Sequence, residues 1–100
     1  MVYTPVPDRK TGETLAESVI QERLAGCANI LGPSSSIYVW DSAVKRESEY
    51  ILLLKTTKRR APALEQRLSQ LHPYDCPCIA RINLQSVHKP YLKWLVNSVR

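Results

Sequence analysis

Apolar residues along this chain alternate at times with the period of a strand and at times with the period of a helix. Residues 1–7 are strand-like, although two prolines predict a short or distorted strand. Asp8 then has the position of a helix N-cap. Apolar residues repeat at helical spacing over 15–24, and Gly26 is predicted to end the helix. The first quarter of the chain is therefore predicted as β-α.

The remainder of the pattern predicts three more strands and two more helices. Residues 27–40 are predicted to be extended, with a kink or bulge near Gly32, and a polar turn at 41–43 leads into a strand over 44–57. A second helix follows, with Pro62 in its first turn and three leucines along one stripe. Residues 79–87 are predicted as a strand and 91–99 as a terminal helix.

The order β-α-β-β-α-β, followed by α, predicts an α+β fold. It is a ferredoxin-like sandwich of one antiparallel sheet with two helices on one face, plus an extra C-terminal helix. Residues 1–100 form a single predicted domain, because no repeat or internal boundary interrupts them. Both alternating faces of residues 50–54 are apolar, which is typical of a strand buried on both sides. Since two helices cover one face, we expect another copy of the chain to cover the other.

The charge and the cysteine content indicate which partners and which cellular compartment to expect. Lys and Arg number 14 against 9 Asp and Glu, a net charge of +5, with one dense run at 58–60. This modest excess predicts a solvated face rather than a nucleic-acid site. Three cysteines without framework spacing indicate a reducing compartment, and no segment approaches the ~18 apolar residues of a membrane span. We therefore predict a cytoplasmic protein with no transmembrane segment.

Two functional classes lack the residues that they need. RNA-recognition motifs share this element order, but they require exposed aromatic residues on the central strands. The corresponding strand, 49–54, has one aromatic residue and no glycine, so no specific nucleic-acid partner is predicted. Three glycines at Gly12, Gly26 and Gly32 form neither a phosphate-binding loop nor a dinucleotide fingerprint, and no nucleophile elbow is present. We predict that the protein is not an enzyme.

Residues 72–78 read His-Pro-Tyr-Asp-Cys-Pro-Cys and carry more reactive groups than any other segment of this length. Two prolines stiffen them into a non-helical conformation. Cys76 and Cys78 are two apart, so in an extended chain both sulfurs face the same side. The segment predicts a soft-metal or redox site, or alternatively a rigid loop in which both thiols are small buried side chains.

Several short motifs occur in the order in which one protein family carries them: Val6-Pro7-Asp8, Glu22-Arg23-Leu24-Ala25-Gly26-Cys27-Ala28-Asn29-Ile30, Tyr38-Val39-Trp40, Glu49, Leu54-Lys55-Thr56-Thr57, His72-Pro73-Tyr74 with Pro77, and Tyr91-Leu92-Lys93-Trp94. Through them the chain resembles the CutA family of divalent-cation-tolerance proteins over nearly its whole length. The resemblance implies a ferredoxin-like fold and a tight, PII-like homotrimer with sheets packed edge to edge in the bacterial cytoplasm.

The resemblance also implies a function. Members of the CutA family have been linked to tolerance of copper and other divalent cations, some bind copper, and no catalytic activity is established. We therefore expect this chain to act in the tolerance of divalent metal ions, with a copper ion bound. The alternative is a PII-like trimeric signalling or scaffold protein that binds a small-molecule ligand or a membrane protein partner and has no metal role.

The predicted metal ligands are His72, Glu49, Cys76 and Cys78. His72 is the imidazole that matches the family motif, and the two thiols supply soft donors that suit Cu(I) and Zn. His72 has an alternative role as a histidine hydrogen-bonded within the turn, and Glu49 has one as an interface partner.

Two departures from the copper-binding relatives are predicted to weaken copper binding. Thr4 stands where such relatives have a cysteine, and Leu71 stands where they have a second histidine. Aromatic residues are predicted to line a ligand cleft or to pack in the core: Tyr38, Trp40, Tyr74, Tyr91 and Trp94. Lys55 is a candidate anchor for an anion in such a cleft.

Overall fold

Seven elements follow one another in the computed structural model, which describes residues 1–100: β1 (Val2–Val6), α1 (Arg9–Gln21), β2 (Cys27–Trp40), β3 (Ala43–Lys55), α2 (Ala61–Leu71), β4 (Ala80–Arg81) and α3 (Lys89–Ser98). The strands form one sheet in the order β2-β3-β1-β4, and every neighbouring pair is antiparallel. This is the predicted α+β, ferredoxin-like order with an extra C-terminal helix. None of the three helices is long and apolar enough to cross a membrane.

The core lies between one face of the sheet and the helices α1 and α2. Alternate residues of β1 are buried, and Val2 and Thr4 lie opposite Leu54 and Leu52 of β3. Successive strand residues point to opposite faces, so these four share the helix-facing side. Helix side chains complete the core, chiefly Leu15, Val19, Leu64 and Leu68.

Helix α1 begins as predicted but ends earlier than predicted. The Asp8 carboxylate accepts a hydrogen bond from the Thr11 N–H at 2.7 Å, which satisfies a free donor of the first turn. The helix ends at Gln21, because Arg23 adopts a left-handed conformation with φ of 59°. Gly26 therefore does not end the helix. A Cβ there would lie 2.7 Å from Leu95 Cδ1, so this glycine permits the close approach of α3.

Strands β2 and β3 form a hairpin that extends well beyond the helices. They pair from Cys27 opposite Lys55 to Trp40 opposite Ala43, and the register shifts between Leu31 and Ser34, where the sequence predicts a bulge. Asp41 and Ser42 have positive φ, as the two-residue turn of a tight hairpin requires. The molecule is consequently elongated, with extents of 46 × 25 × 21 Å.

The prediction of a strand over residues 79–87 is wrong for most of its length. Only Ala80–Arg81 is strand, paired with Tyr3 and Val2 of β1. The antiparallel direction brings the chain back along β1 to Met1, whose backbone exchanges hydrogen bonds with Ile82. Beyond Ile82 no strand of the same chain lies alongside. Residues 83–87 therefore have no neighbouring strand with which to form backbone hydrogen bonds, whatever their strand propensity.

The second face of the sheet is less covered than the helix-facing side. Ile51 and Leu53 of β3 point to this face and are half-buried, whereas Leu52 and Leu54, which alternate with them, are covered completely. Leu31 on β2, opposite Ile51, is 52% exposed. We call this surface the open face. It is apolar at its centre, as the two-sided pattern of residues 50–54 predicts.

Candidate functional site

The segment from His72 to Cys78 follows α2 and borders a cleft of about 730 Å³. Three parts of the chain line this cleft: the end of β1, the outer half of the β2–β3 hairpin and the loop that follows His72. The lining residues are Pro5, Tyr38, Trp40, Lys45, Glu47, Glu49, Pro73, Tyr74, Asp75, Cys76 and Cys78. We call it the loop cleft.

His72 is held by hydrogen bonds through both ring nitrogens. Its Nδ1 accepts from the Tyr74 N–H at 3.2 Å, so Nδ1 carries no proton. Its Nε2 then carries the proton and donates it to the Pro5 carbonyl at 2.9 Å. His72 is only 8% exposed and does not line the loop cleft. This geometry matches the alternative role of a histidine that fixes the turn, and a metal ion would have to displace one of the two bonds.

Glu49 and Tyr74 connect the loop to the sheet. The Tyr74 hydroxyl donates to Glu49 Oε2 at 2.8 Å, and Glu49 is 9% exposed. Burial first, and then the hydrogen bond to Glu49, raise the pKa of Tyr74 well above its ordinary value. The phenol is consequently neutral at physiological pH and remains a donor. The rings of His72 and Tyr74 lie 4.9 Å apart, so one hydrogen-bonded cluster holds the start of the loop.

Cys76 and Cys78 are both exposed and both line the loop cleft. The alternative in which these two thiols are buried is therefore wrong. Glu49 borders the same cleft, whereas His72 does not. No group of three or more His, Cys, Asp or Glu side chains within residues 1–100 is placed to hold a metal ion. One chain thus brings two thiols and three carboxylates, those of Glu47, Glu49 and Asp75, to one cleft without forming a closed ligand set.

The hairpin contributes two cleft residues that the sequence motifs did not indicate, Lys45 and Glu47. Lys45, Glu47 and Glu49 alternate along β3, and Tyr38 lies opposite Lys45. Successive strand residues point to opposite faces, so these side chains share one face. A hydrogen bond to Glu47 raises the pKa of Tyr38. Alternate residues of a strand share a face, and this spacing in the sequence of the hairpin would have predicted that these side chains lie together.

The five aromatic residues predicted to line a cleft are divided between two places. Tyr38, Trp40 and Tyr74 line the loop cleft. Tyr91 and Trp94 lie on α3 and pack against each other, with ring centroids 5.5 Å apart. Lys55 lies with Tyr91, away from the loop cleft, so the predicted anion anchor belongs to a different part of the molecule.

Comparison with known proteins assigns this fold and loop to a family. Residues 1–98 match the family model described as CutA1 divalent ion tolerance protein. The chain belongs to the CutA1 family. It is 36% identical over 100 residues to the divalent-cation tolerance protein CutA of Pyrococcus horikoshii, covering 100% of this chain and 97% of that protein.

Two further relatives show the range of the CutA1 family. The chain is 37% identical to the chloroplastic protein CutA of Arabidopsis thaliana, covering all of this chain but only 55% of that longer protein. The solved structure of the divalent cation tolerance protein CutA1 from Thermus thermophilus superimposes with a TM-score of 0.93 at 36% identity. That superposition covers 99% of this chain and 96% of the Thermus chain.

The structure also locates Thr4 and Leu71, the two positions at which the sequence is predicted to depart from copper-binding relatives. Thr4 is completely buried on the helix-facing side, and its hydroxyl has no hydrogen-bond partner. Leu71 packs against the same core. Both positions therefore lie on the helix-facing side of the sheet, and neither residue lines the loop cleft with the exposed thiols.

Proposed function

We propose that this CutA1-family protein acts in tolerance of divalent metal ions as a cytoplasmic homotrimer that binds copper, and that it is not an enzyme. The exposed pair Cys76 and Cys78, on a proline-stiffened loop beside Glu49, is the observation that carries the metal role. The names of the relatives from Pyrococcus and Thermus support divalent-cation tolerance. The Arabidopsis relative is named chloroplastic, and a cytoplasmic location for this chain stays a prediction.

Donor chemistry favours Cys76 and Cys78 as the direct ligands. Thiolates suit Cu(I) and Zn, whereas imidazole and carboxylate suit Cu(II) better. Glu49 can act as a ligand only through an oxygen that its hydrogen bond with Tyr74 leaves free. His72 can act as a ligand only if it gives up its hydrogen bond to Pro5 or to Tyr74. Because one chain supplies no closed ligand set, we expect copper binding weaker than that of relatives with a first-strand thiol and a second histidine.

Calorimetric titration of the reduced protein with Cu(I), Zn(II) and Cu(II) tests this proposal. We expect Cu(I) binding that the double variant Cys76→Ser/Cys78→Ser abolishes. The matched control is Cys27→Ser, since Cys27 lies near Lys55 and away from the loop cleft. His72→Ala should reduce whatever Cu(II) binding is present. Cu(I) binding that survives loss of both loop thiols would refute their role as ligands.

The open face and the sheet edge support the homotrimer. The centre of the open face is apolar, and burying such a surface favours association. β2 is an edge strand of 14 residues paired only with β3. Exposed edges of this kind are templates for pairing with another chain. Light scattering should give three times 11.4 kDa, about 34 kDa, at sub-micromolar concentration. A stable folded monomer would refute the trimer.

A second candidate function is the PII-like trimeric signalling or scaffold protein that binds a small molecule or a protein partner and has no metal role. The engaged nitrogens of His72 and the absence of a three-ligand group in residues 1–100 favour it. The same titrations distinguish the two functions. If the assembled protein binds none of Cu(I), Cu(II) and Zn(II), the metal role is refuted and the signalling or scaffold function is supported.

A further inference from the structure

A second cavity, of about 700 Å³, lies between α3, the start of α2 and the irregular segment that follows β4. Small-molecule sites are typically clefts of about 300 to 1,000 Å³ with apolar walls and a few polar anchors. Leu84, Val87, Leu92 and Val96 supply apolar wall here. We call it the α3 cavity, and it shares no lining residue with the loop cleft.

Positive charge lines the α3 cavity without any compensating carboxylate. Its lining includes Lys55, Lys58 and Arg81 but no Asp or Glu. Arg81 is paired with Glu65, outside the lining. Neither lysine takes part in a salt bridge of this chain. Two ammonium groups beside an apolar wall are therefore available to an anion from solution.

Lys55 is the better placed of these two ammonium groups. It is half-buried, whereas Lys58 is exposed. Its Nζ lies 5.6 Å from the centroid of the Tyr91 ring and 4.0 Å from the Cys27 sulfur, a weak acceptor. Burial and a cation–π contact thus fix the position of the Lys55 charge at the cavity wall while leaving it without an anionic partner.

Tyr91 adds a donor without a strong acceptor beside Lys55. Its hydroxyl oxygen is buried and has no nitrogen or oxygen partner, and the polar group that contacts it is the Cys27 thiol, a weak acceptor. Burial first, and then the contact with Cys27, raise the pKa of Tyr91, so the phenol is neutral and keeps its proton at physiological pH. A buried donor without a strong partner is costly, and an anion bound at Lys55 would satisfy it.

We propose that the α3 cavity binds a small organic anion with an apolar body, of the aryl carboxylate or aryl sulfonate class. The acidic head lies against Lys55 and the Tyr91 hydroxyl, and the apolar body lies against Leu92 and Val96. This site is independent of the metal proposal, because Cys76 and Cys78 belong to the loop cleft.

Two fluorescent probes that differ only in their charged group test the site. The anionic probe is 8-anilinonaphthalene-1-sulfonate, and the neutral probe is N-phenyl-1-naphthylamine, the same ring system without the sulfonate. Lys55→Met should weaken the sulfonate by about tenfold, the loss of one charge-assisted hydrogen bond, and leave the neutral probe unchanged. Tyr91→Phe should weaken the sulfonate by a smaller factor. Leu92→Ser should weaken both probes.

Matched control variants distinguish the loss of the binding site from the loss of the folded structure. Lys93→Met removes an exposed lysine of α3 that does not line the cavity, and it should leave both probes unchanged. Cys76→Ser/Cys78→Ser should also leave both unchanged, even if it abolishes copper binding. The proposal is overturned if the wild type does not bind the sulfonate, or if Lys55→Met binds it as tightly as the wild type. Equal loss of both probes in Lys55→Met would overturn it as well, since the charge would then not be the cause.

Discussion

The hydrogen bond from Tyr74 to Glu49 allows a quantitative test of how the loop is held. Tyr74→Phe removes the hydroxyl and keeps the ring that packs against His72. The bond is 2.8 Å long and its acceptor is a carboxylate that is only 9% exposed. Removing the donor leaves Glu49 buried without that partner.

The expected cost follows from the charge and burial of the acceptor. A hydrogen bond to a charged group contributes about 1.5 to 3 kcal/mol, and an unsatisfied buried group costs a similar amount. Glu49 Oε1 has no hydrogen-bond partner and is not a fully buried atom, so solvent already reaches part of the carboxylate. We therefore expect the lower half of that range, about 2 kcal/mol in the free energy of unfolding.

Urea denaturation at one fixed protein concentration measures this effect, because the stability of an oligomer depends on concentration. Tyr38→Phe is the matched control, since Tyr38 borders the same cleft but is exposed, so its hydrogen bond to Glu47 lies in solvent, and its change should be within about 0.5 kcal/mol. A double-mutant cycle with Glu49→Gln should give a coupling between the two side chains. If Tyr74→Phe changes stability no more than Tyr38→Phe does, the bond does not hold the loop.

The same bond predicts a dependence on alkaline pH. The pKa of Tyr74 is raised above its ordinary value of 10.0, so the folded protein holds the phenol proton more tightly than the unfolded chain does. The resulting stabilisation is fully present below pH 10 and is lost as pH rises through the folded-state pKa. Wild type should therefore lose more stability than Tyr74→Phe does above pH 10. Parallel pH profiles would contradict this assignment.

Three further predictions address the core, the cap and a close contact. Leu52→Asp should prevent folding because Leu52 is fully buried, whereas Leu53→Asp on the open face should leave a folded chain that no longer assembles, as circular dichroism and light scattering will show. Asp8→Ala should lower thermal stability at neutral pH, and the difference from wild type should shrink as pH falls below the ordinary pKa of 3.8, since the pKa of Asp8 is lowered and its stabilisation is lost as pH falls through the folded-state pKa. Gly26→Ala should cost about 1 to 3 kcal/mol in urea denaturation, because the added methyl overlaps Leu95.

Local rules predicted those parts of the fold in which the interactions are local. The Asp8 cap, Pro62 in the first turn of α2 and the bulge after Leu31 each depend on neighbouring residues alone, and all are observed. The strand over 79–87 depends on a partner strand, which β1 supplies only as far as Met1. The strand propensity of a segment does not show where its partner strand ends. The prediction of a strand over 79–87 was therefore wrong.

The candidate site was predictable in its residues but not in its contacts. The motif identified His72 and Glu49, yet not that Tyr74 bonds the carboxylate or that the Pro5 carbonyl faces the imidazole across 67 positions of sequence. The exposure of Cys76 and Cys78 was also not predictable from the sequence, because free cysteines are usually buried. Long-range packing decides each of these contacts, and it leaves no periodic pattern in the sequence.

The unsupported outer half of the β2–β3 hairpin restricts how this region can change in evolution. Near the end of β2, Tyr38 and Trp40 border the loop cleft, and Val39 between them points the opposite way. Inserting or deleting one residue would exchange these two sets, whereas a change of two residues would preserve them. Tolerated length differences among homologous hairpins should therefore come in twos, with matched changes on both strands.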